Sequence, residues 1–302
     1  MLGSIVGYGA FGKVFNVEKD EKKVYKVINI SYKDYVKKEI EILKKISDNQ
    51  YFCNLLNYFD KENNIYLKFP KYFCNLNQLK IVLKQNDILN ISLQILEGLE
   101  YLVFIGVIHC DLKPENIMFE TENYDKVRII DFGSSIFKGD KRIYNNYIQT
   151  RWYCSPDVIL GKPLSIDIDI WSLGCIIYEL YLKKVLFSGG NSNKKYRILQ
   201  LYKIIEILGI PSEEYLKDCK FKNIYFTDEK PLMEKENKYS LIKAYDINNN
   251  EIKINKRYLE LEISNNEILK LLKLILRYEN RLSIEGLKNE INDLFMIKKI
   301  KL

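Results

Sequence analysis

Hydrophobic and polar positions alternate with a period of two through residues 1–30, most clearly in V-Y-K-V-I-N-I at 24–30, and this spacing predicts strands. The period then changes. In K-D-Y-V-K-K-E-I-E-I-L-K-K-I at 33–46, Val36, Ile40, Leu43 and Ile46 recur at helical spacing. Short strand patterns resume and end in N-I-Y-L-K-F at 64–69. Beyond them Ile88, Ile91, Ile95, Leu99 and Leu102 mark the core face of a helix, with Asp87 as its expected cap. Short strands flank V-I-H-C-D-L-K-P-E-N-I-M-F (107–119) and V-R-I-I-D-F-G (127–133), and the remainder is mostly helical. The stretch I-D-I-W-S-L-G-C-I-I-Y-E-L at 168–180 is apolar nearly all round, which suits a helix buried in a core. It carries Asp169 and Glu179 and is too short to span a bilayer. Residues 227–263 are polar and weakly periodic and read as a long loop.

A strand-rich first quarter followed by a helix-rich remainder implies an α+β chain of two lobes, joined near Pro70 and Lys71. No internal repeat is visible. With 302 residues, 47% hydrophobic and 29% charged, the composition is that of a soluble globular protein. Residues 1–12 are glycine-rich and lack the basic region and apolar run of a signal peptide. Six cysteines without C-x-x-C spacing suggest reduced thiols in an intracellular compartment, cytoplasm or nucleus, rather than a zinc site or a disulfide framework. The formal charge of +7 could attract phosphate, but the lysines are interleaved with glutamates, the pattern of a solvated surface.

Some charged and glycine positions stand out from this background. Gly7, Gly9 and Gly12 fall in a strand–turn–strand context, where missing side chains would let backbone N–H groups approach phosphate oxygens. Taken alone they could also be an ordinary turn, although Val14 just after them could cover a flat base. Lys26 sits in an apolar strand, where a cation is costly unless paired. Glu39, on the following helix, could pair with it and aim the ammonium at a nucleotide's phosphates; judged by themselves, the two could equally be separate surface charges. Asp111 and Asn116 lie five apart, and Asp131 opens D-F-G after an apolar strand. Phosphoryl transfer needs a carboxylate to accept the hydroxyl proton, oxygen ligands for magnesium, and cations against the developing charge. Asp111 suits the first task, Asn116 and Asp131 the second, and Lys113 could reach the transferred phosphate.

The set G-Y-G-A-F-G-K-V, Lys26, Glu39, H-C-D-L-K-P-E-N and D-F-G resembles the signature of eukaryotic protein kinases, over residues 3 to about 290. The resemblance implies the bilobal kinase fold, with the small lobe and hinge at 1–72 and the large lobe at 73–302. It also implies ATP and Mg2+ as cofactors and transfer of the γ-phosphate to serine or threonine of protein substrates by a monomer without nucleic-acid or membrane partners. His109 is then structural, packed on Phe132 with its backbone held by Asp169, so that the one imidazole supports Asp111 and is not the base. Phe69 matches the gatekeeper, and Pro70 to Tyr72 the hinge. Adenine recognition there uses the carbonyl of Pro70 and the N–H and carbonyl of Tyr72, so the absent N–H of Pro70 does no harm. Thr150 matches the threonine that bridges the catalytic aspartate and lysine, and Asp157 of S-P-D would pair with Arg281.

The stretch Y-I-Q-T-R-W-Y-C-S-P-D-V-I-L-G (147–161), with H-C-D and D-F-G-S-S, is similar to the dual-specificity tyrosine-regulated kinases of the CMGC group, and 196–211 resembles that group's insert. This implies proline-directed activity and autophosphorylation of Tyr147, whose phosphate binds arginines four and seven residues later. The first is Arg151, but Cys154 replaces the second, which removes a charge-assisted pair. Asn145 replaces a further tyrosine, and Cys110 replaces the usual arginine, as is normal in this branch. Val24, where alanine is usual above adenine, adds two methyl groups that could narrow the pocket. Because the sequence opens almost at the glycine loop, an N-terminal extension that aids autophosphorylation in some relatives is expected to be missing. The alternatives are a pseudokinase serving as a binding module, or a kinase of the neighbouring homeodomain-interacting or splicing-related branches.

Overall fold

The computed structural model describes residues 2–9, 12–140, 148–188, 196–228, 239–241, 251 and 253–300. They form two compact units, one of Met1–Val82 with Asn90–Gly139 and one of Leu83–Leu89 with Asp140–Leu302.

In the first unit, β1 (Leu2–Tyr8), β2 (Gly12–Val17), β3 (Asp20–Asn29), β4 (Asn57–Lys61) and β5 (Asn64–Pro70) make one antiparallel sheet ordered β1-β2-β3-β5-β4. Helix α1 (Lys33–Lys45) follows β3. Alternation along β3 and β5 turns Lys26, Ile28, Ile65 and Leu67 inward, where all four are buried. Val14 is the register partner of Lys26 on β2, and Val24 that of Phe69 on β5, so these residues share the inner face. Helix α1 carries Asp34 in its first turn and Lys44 and Lys45 in its last, complementing its dipole. Its buried stripe is Val36, Glu39, Ile42 and Leu43, continued by Ile46 just beyond the helix. Ile40, expected inside, is only half-buried, because one turn from Val36 the inward position falls on Glu39.

The unit is completed by β6 (Cys74–Asn75), most of α2 (Gln85–Phe104), β7 (Val107–Ile108), β8 (Ile117–Phe119), β9 (Val127–Ile129) and β10 (Ile136–Phe137), which pair as β6-β8-β9 and β10-β7. The expected core face of α2 is buried at Ile88, Ile91, Ile95, Leu99 and Leu102. Asp87 stands inside the helix rather than before it, and its carboxylate reaches back to accept from the Lys84 N–H at 2.8 Å.

The second unit is mostly helical: α3 (Pro156–Leu160), α4 (Asp167–Leu182), α5 (Tyr196–Leu208), α6 (Glu213–Lys217) and α7 (Lys222–Tyr225) are followed by β11 (Phe226–Asp228), β12 (Tyr239–Leu241), α8 (Leu259–Glu262), α9 (Asn266–Ile275) and α10 (Ile284–Ile300). As its apolarity requires, α4 is buried at nearly every position and forms the centre of this core. Gly174 admits α9 closely: a Cβ there would stand 2.7 Å from Ile275 Cγ2. The polar stretch 227–263 is not wholly loop, since β11 pairs with β12 and α8 forms one turn. Among the described residues, no helix is long and apolar enough to cross a membrane, and the six cysteines are free thiols.

Candidate active site

The first unit brings together side chains from β3, α1, the segment after β7 and the segment after β9. Lys26 Nζ lies 2.6 Å from Glu39 Oε1 and 2.7 Å from Asp131 Oδ1, with Lys26 and Glu39 both buried. Burial works against the Lys26 ammonium, but the charges of Asp131 and Glu39 overrule it and raise its pKa. For Asp131, burial is outweighed by the Lys26 charge and hydrogen bond, which lower it to about 2. Burial pushes the Glu39 carboxyl up, and the nearby Asp131 charge adds to this against the pull of Lys26. A strand cation held by two carboxylates is therefore charged, buried and fixed in direction.

Asp131 adopts a left-handed backbone, φ 63°, and its carboxylate accepts from the Gly133 N–H at 3.4 Å. Cys110 is likewise left-handed at φ 65°, so a strained non-glycine residue stands in each loop. The two loops are stitched together through Ile130. Its N–H donates to the Asn116 carbonyl at 2.9 Å, and its carbonyl lies 3.0 Å from His109 Nε2. The Asp111 N–H donates to His109 Nδ1 at 3.2 Å. These partners assign the neutral Nε2–H tautomer, with both ring nitrogens engaged by backbone. The fully buried His109 ring also meets Phe132 edge-on at 5.0 Å, and Phe132 meets Phe52 at 5.7 Å. Ser135 Oγ, at the end of D-F-G-S-S, donates to the His109 carbonyl at 2.9 Å.

Asp111 is oriented by its own loop. Lys113 Nζ lies 2.8 Å from Asp111 Oδ2, while Asn116 Nδ2 donates to the Asp111 carbonyl at 2.8 Å and to Oδ2 at 3.3 Å. Spending Nδ2 in this way turns the Asn116 amide oxygen away from Asp111. That oxygen and Asp131 Oδ2 are hard donors of the kind magnesium takes. Among the described residues, no cluster of three or more His, Cys, Asp or Glu is placed to hold a metal ion.

The three glycines differ. A Cβ at Gly12 would come within 2.2 Å of the Val27 carbonyl, so packing of β2 on β3 demands glycine there whatever is bound. At Gly9 a Cβ would fill space 3.8 Å from both Asp131 Oδ2 and Lys26 Cε, which places this loop against the charged cluster. At Gly7 it would make only ordinary contact with Val14. Val24 and Phe69 are direct cross-strand partners, both half-buried, and Pro70 ends β5. Tyr72 is half-buried, and burial raises its phenol to about 12.

The remaining site candidates belong to the second unit. Thr150 precedes the turn Arg151–Tyr153, and both Thr150 and Arg151 are half-buried. Tyr147 and Asn145 lie outside the described residues. Asp169 is fully buried in α4. Asp157 Oδ2 accepts from Arg281 Nη1 at 2.6 Å and from Ser155 Oγ at 2.5 Å, and Oδ1 accepts from the Tyr215 hydroxyl at 2.8 Å. Gln149 has φ 64° and is clamped on three sides. Nε2 donates to the Ile168 carbonyl at 2.8 Å and to Ser172 Oγ at 2.9 Å, and Oε1 accepts from the Ser155 N–H at 2.9 Å.

The family model described as "Protein kinase domain" matches residues 2–291. The chain belongs to the protein kinase family. Its strand-rich beginning and helical remainder are the two lobes of that α+β fold. Among curated proteins it is similar to "Dual specificity tyrosine-phosphorylation-regulated kinase 4" of Homo sapiens, 35% identical over 73% of this chain and 44% of that protein. "Probable serine/threonine-protein kinase dyrk2" of Dictyostelium discoideum is 34% identical over 75% of this chain and 26% of that protein. "Dual specificity protein kinase YAK1 homolog" of Arabidopsis thaliana is 35% identical over 75% and 25%. These names fall in the branch that the 147–161 stretch resembles. The chain spans less than half the length of the curated relatives it matches.

Proposed function

We propose that this domain transfers the γ-phosphate of ATP to serine and threonine hydroxyls of protein substrates, with a preference for proline after the acceptor and autophosphorylation of Tyr147 as a second activity. The observation that carries the reading is the ion-paired Lys26–Glu39–Asp131 cluster, linked through Ile130 and His109 to an Asp111 held by Lys113 and Asn116. In it, Gly7, Gly9 and Gly12 let backbone N–H groups approach the phosphates, and Lys26, aimed by Glu39, contacts them. Val14, Val24, Phe69, Pro70 and Tyr72 border the adenine. Asn116 and Asp131 hold Mg2+, which when bound offsets charge on the polyphosphate. Asp111 takes the proton of the incoming hydroxyl. Lys113 and Thr150 position that carboxylate and the transferred group, and Arg151 meets the phosphate on Tyr147. The lobe boundary at 72/73, action as a monomer inside the cell, and the absence of nucleic-acid and membrane partners belong to the same reading.

The backbone at Gln149 supports the proposed preference for proline. A left-handed Gln149, locked by its three hydrogen bonds, departs from the extended line that would pair with a substrate main-chain N–H. Proline has no N–H to lose there. The pseudokinase alternative has no support, since Lys26, Asp111, Asn116 and Asp131 are all present. A peptide array with labelled ATP tests the proposal: Asp111→Asn should reduce turnover by about 10²–10⁴-fold. Undiminished labelling by that variant would refute the assignment of Asp111.

A further inference from the structure

The inner face of the five-stranded sheet is taken up by the cluster around Lys26. Its outer face is different. One row across the strands reads Ile5, Phe15, Tyr25, Lys68, and the neighbouring row reads Lys13, Val27, Tyr66, Phe59, each residue being the register partner of the next. None of the eight is buried, and Ile5 and Phe59 are 43% and 37% exposed. The aromatic residues have collapsed onto one another. Phe59 and Tyr66 stack at 4.9 Å, and Tyr25 meets them edge-on at 5.8 and 5.9 Å. The Lys68 ammonium lies 5.7 Å from the Tyr25 ring centre. A sheet face this apolar is ordinarily covered by a helix, yet among the described residues none of its eight side chains is fully covered.

We propose that this face docks a helix of a partner protein, amphipathic and acidic along its flanks. The apolar stripe would lie over Phe15, Tyr25, Tyr66 and Phe59. Charge sets the flanks: neither row contains a carboxylate, Lys13 and Lys68 stand at opposite ends of the cluster, and Asp20, which feels the Lys68 charge, is already paired with Lys23 at 2.9 Å. Ring geometry favours a helix over single-stranded nucleic acid, the other ligand that lysines and aromatics attract. Base stacking needs open ring faces, and here the rings are engaged with each other and with Lys68.

The test is fluorescence anisotropy with the whole domain and three labelled probes. The first is a helical peptide of about 18 residues, roughly five turns, with leucines on one stripe and glutamates beside it. The second carries lysine in place of glutamate, and the third is an oligouridylate of about twelve nucleotides, within the usual site sizes. The leucine–glutamate peptide should bind, and Lys68→Glu and Phe59→Ser should each weaken it by about tenfold or more. The lysine peptide and the oligouridylate should not bind, and phosphorylation of a short peptide substrate should be unchanged. Should Phe59→Ser fail to fold, Lys68→Glu decides alone. The proposal is overturned if the leucine–glutamate peptide does not bind or binds both variants as it binds the parent. It is overturned equally if oligouridylate binds and competes, which would assign the face to nucleic acid.

Discussion

Lys26 and Asp131 form a direct ion pair at 2.7 Å, with Glu39 on the same ammonium at 2.6 Å. Removing the cation would leave two carboxylates facing each other with Glu39 fully enclosed. Lys26→Met should therefore abolish phosphoryl transfer and cost about 3 kcal/mol of stability, the lower end of the range for a broken buried pair. The lower end applies because Glu39, already raised by burial, can take up a proton. Adding Glu39→Gln should return much of the stability and none of the activity. Urea unfolding of the parent, single and double variants checks this, and equal midpoints for parent and Lys26→Met would contradict it.

Val24 faces Phe69 across β3 and β5 on the inner side of the sheet. Under the proposed function, both border the adenine, and the valine methyls crowd it. Val24→Ala should lower KM for ATP by about fivefold, corresponding to roughly 1 kcal/mol of relieved overpacking, with kcat unchanged. Steady-state kinetics across ATP concentrations decide the matter; a KM that rises would mean that the valine contributes contact and not obstruction.

Arg281 joins the chain's end to the segment after Thr150. Nη1 lies 2.6 Å from Asp157, Nε donates to the Arg277 carbonyl at 2.6 Å, and the guanidinium lies 5.4 Å over the Trp171 ring. Arg281→Ala would strand a buried carboxylate. We expect a loss of about 3–5 kcal/mol, read by thermal or denaturant melts. A loss under about 1 kcal/mol, the level of a surface pair, would show that Ser155 and Tyr215 suffice to hold Asp157.

Glu262 provides a dependence on acid. Burial works against its charge, but hydrogen bonds from Arg257, Tyr178 and Lys184 outweigh it and lower its pKa from 4.5 to about 2. A carboxylate depressed by folding stabilises fully above its unfolded pKa and loses that contribution as pH falls through the folded value. Stability from this site should thus be complete above pH 4.5 and gone near pH 2. Glu262→Gln should be less stable than the parent at pH 7, with the gap closing on acidification. Urea titrations at several pH values check it, and a gap that persists at pH 2 would mean the residue acts by shape alone.

Much of this was readable from residue order, for physical reasons that differ by element. Strong alternation made β3 and β5 plain, and continuous apolarity made α4 plain, because burial on both sides leaves few polar positions. Lys26 and Glu39 are legible as a pair, since a cation in an apolar strand is costly and the apolar neighbours of Glu39 turn it inward; only Ile40 departs from the expected stripe, because Glu39 takes the inward position beside it. Asp87 looked like a cap in front of α2, whereas its side chain caps backwards from within, and the two placements share one sequence signature. Gln149 and Ser135 fall inside stretches that resemble the family, but residue type alone does not express their roles, which lie in a left-handed backbone and in hydrogen bonds to distant carbonyls. Gly12 had a phosphate-loop spacing, yet the approach of the Val27 carbonyl alone would require it.

The sealed position of His109 has a practical consequence. Because the chain holds one histidine, its ring protons give a single, unambiguous set of magnetic-resonance signals, without mutagenesis or selective labelling. That ring is bonded to the Asp111 amide on one side and the Ile130 carbonyl on the other. Nature has thus left one native reporter at the seam between the two loops, able to register whether they stay joined as ligands come and go.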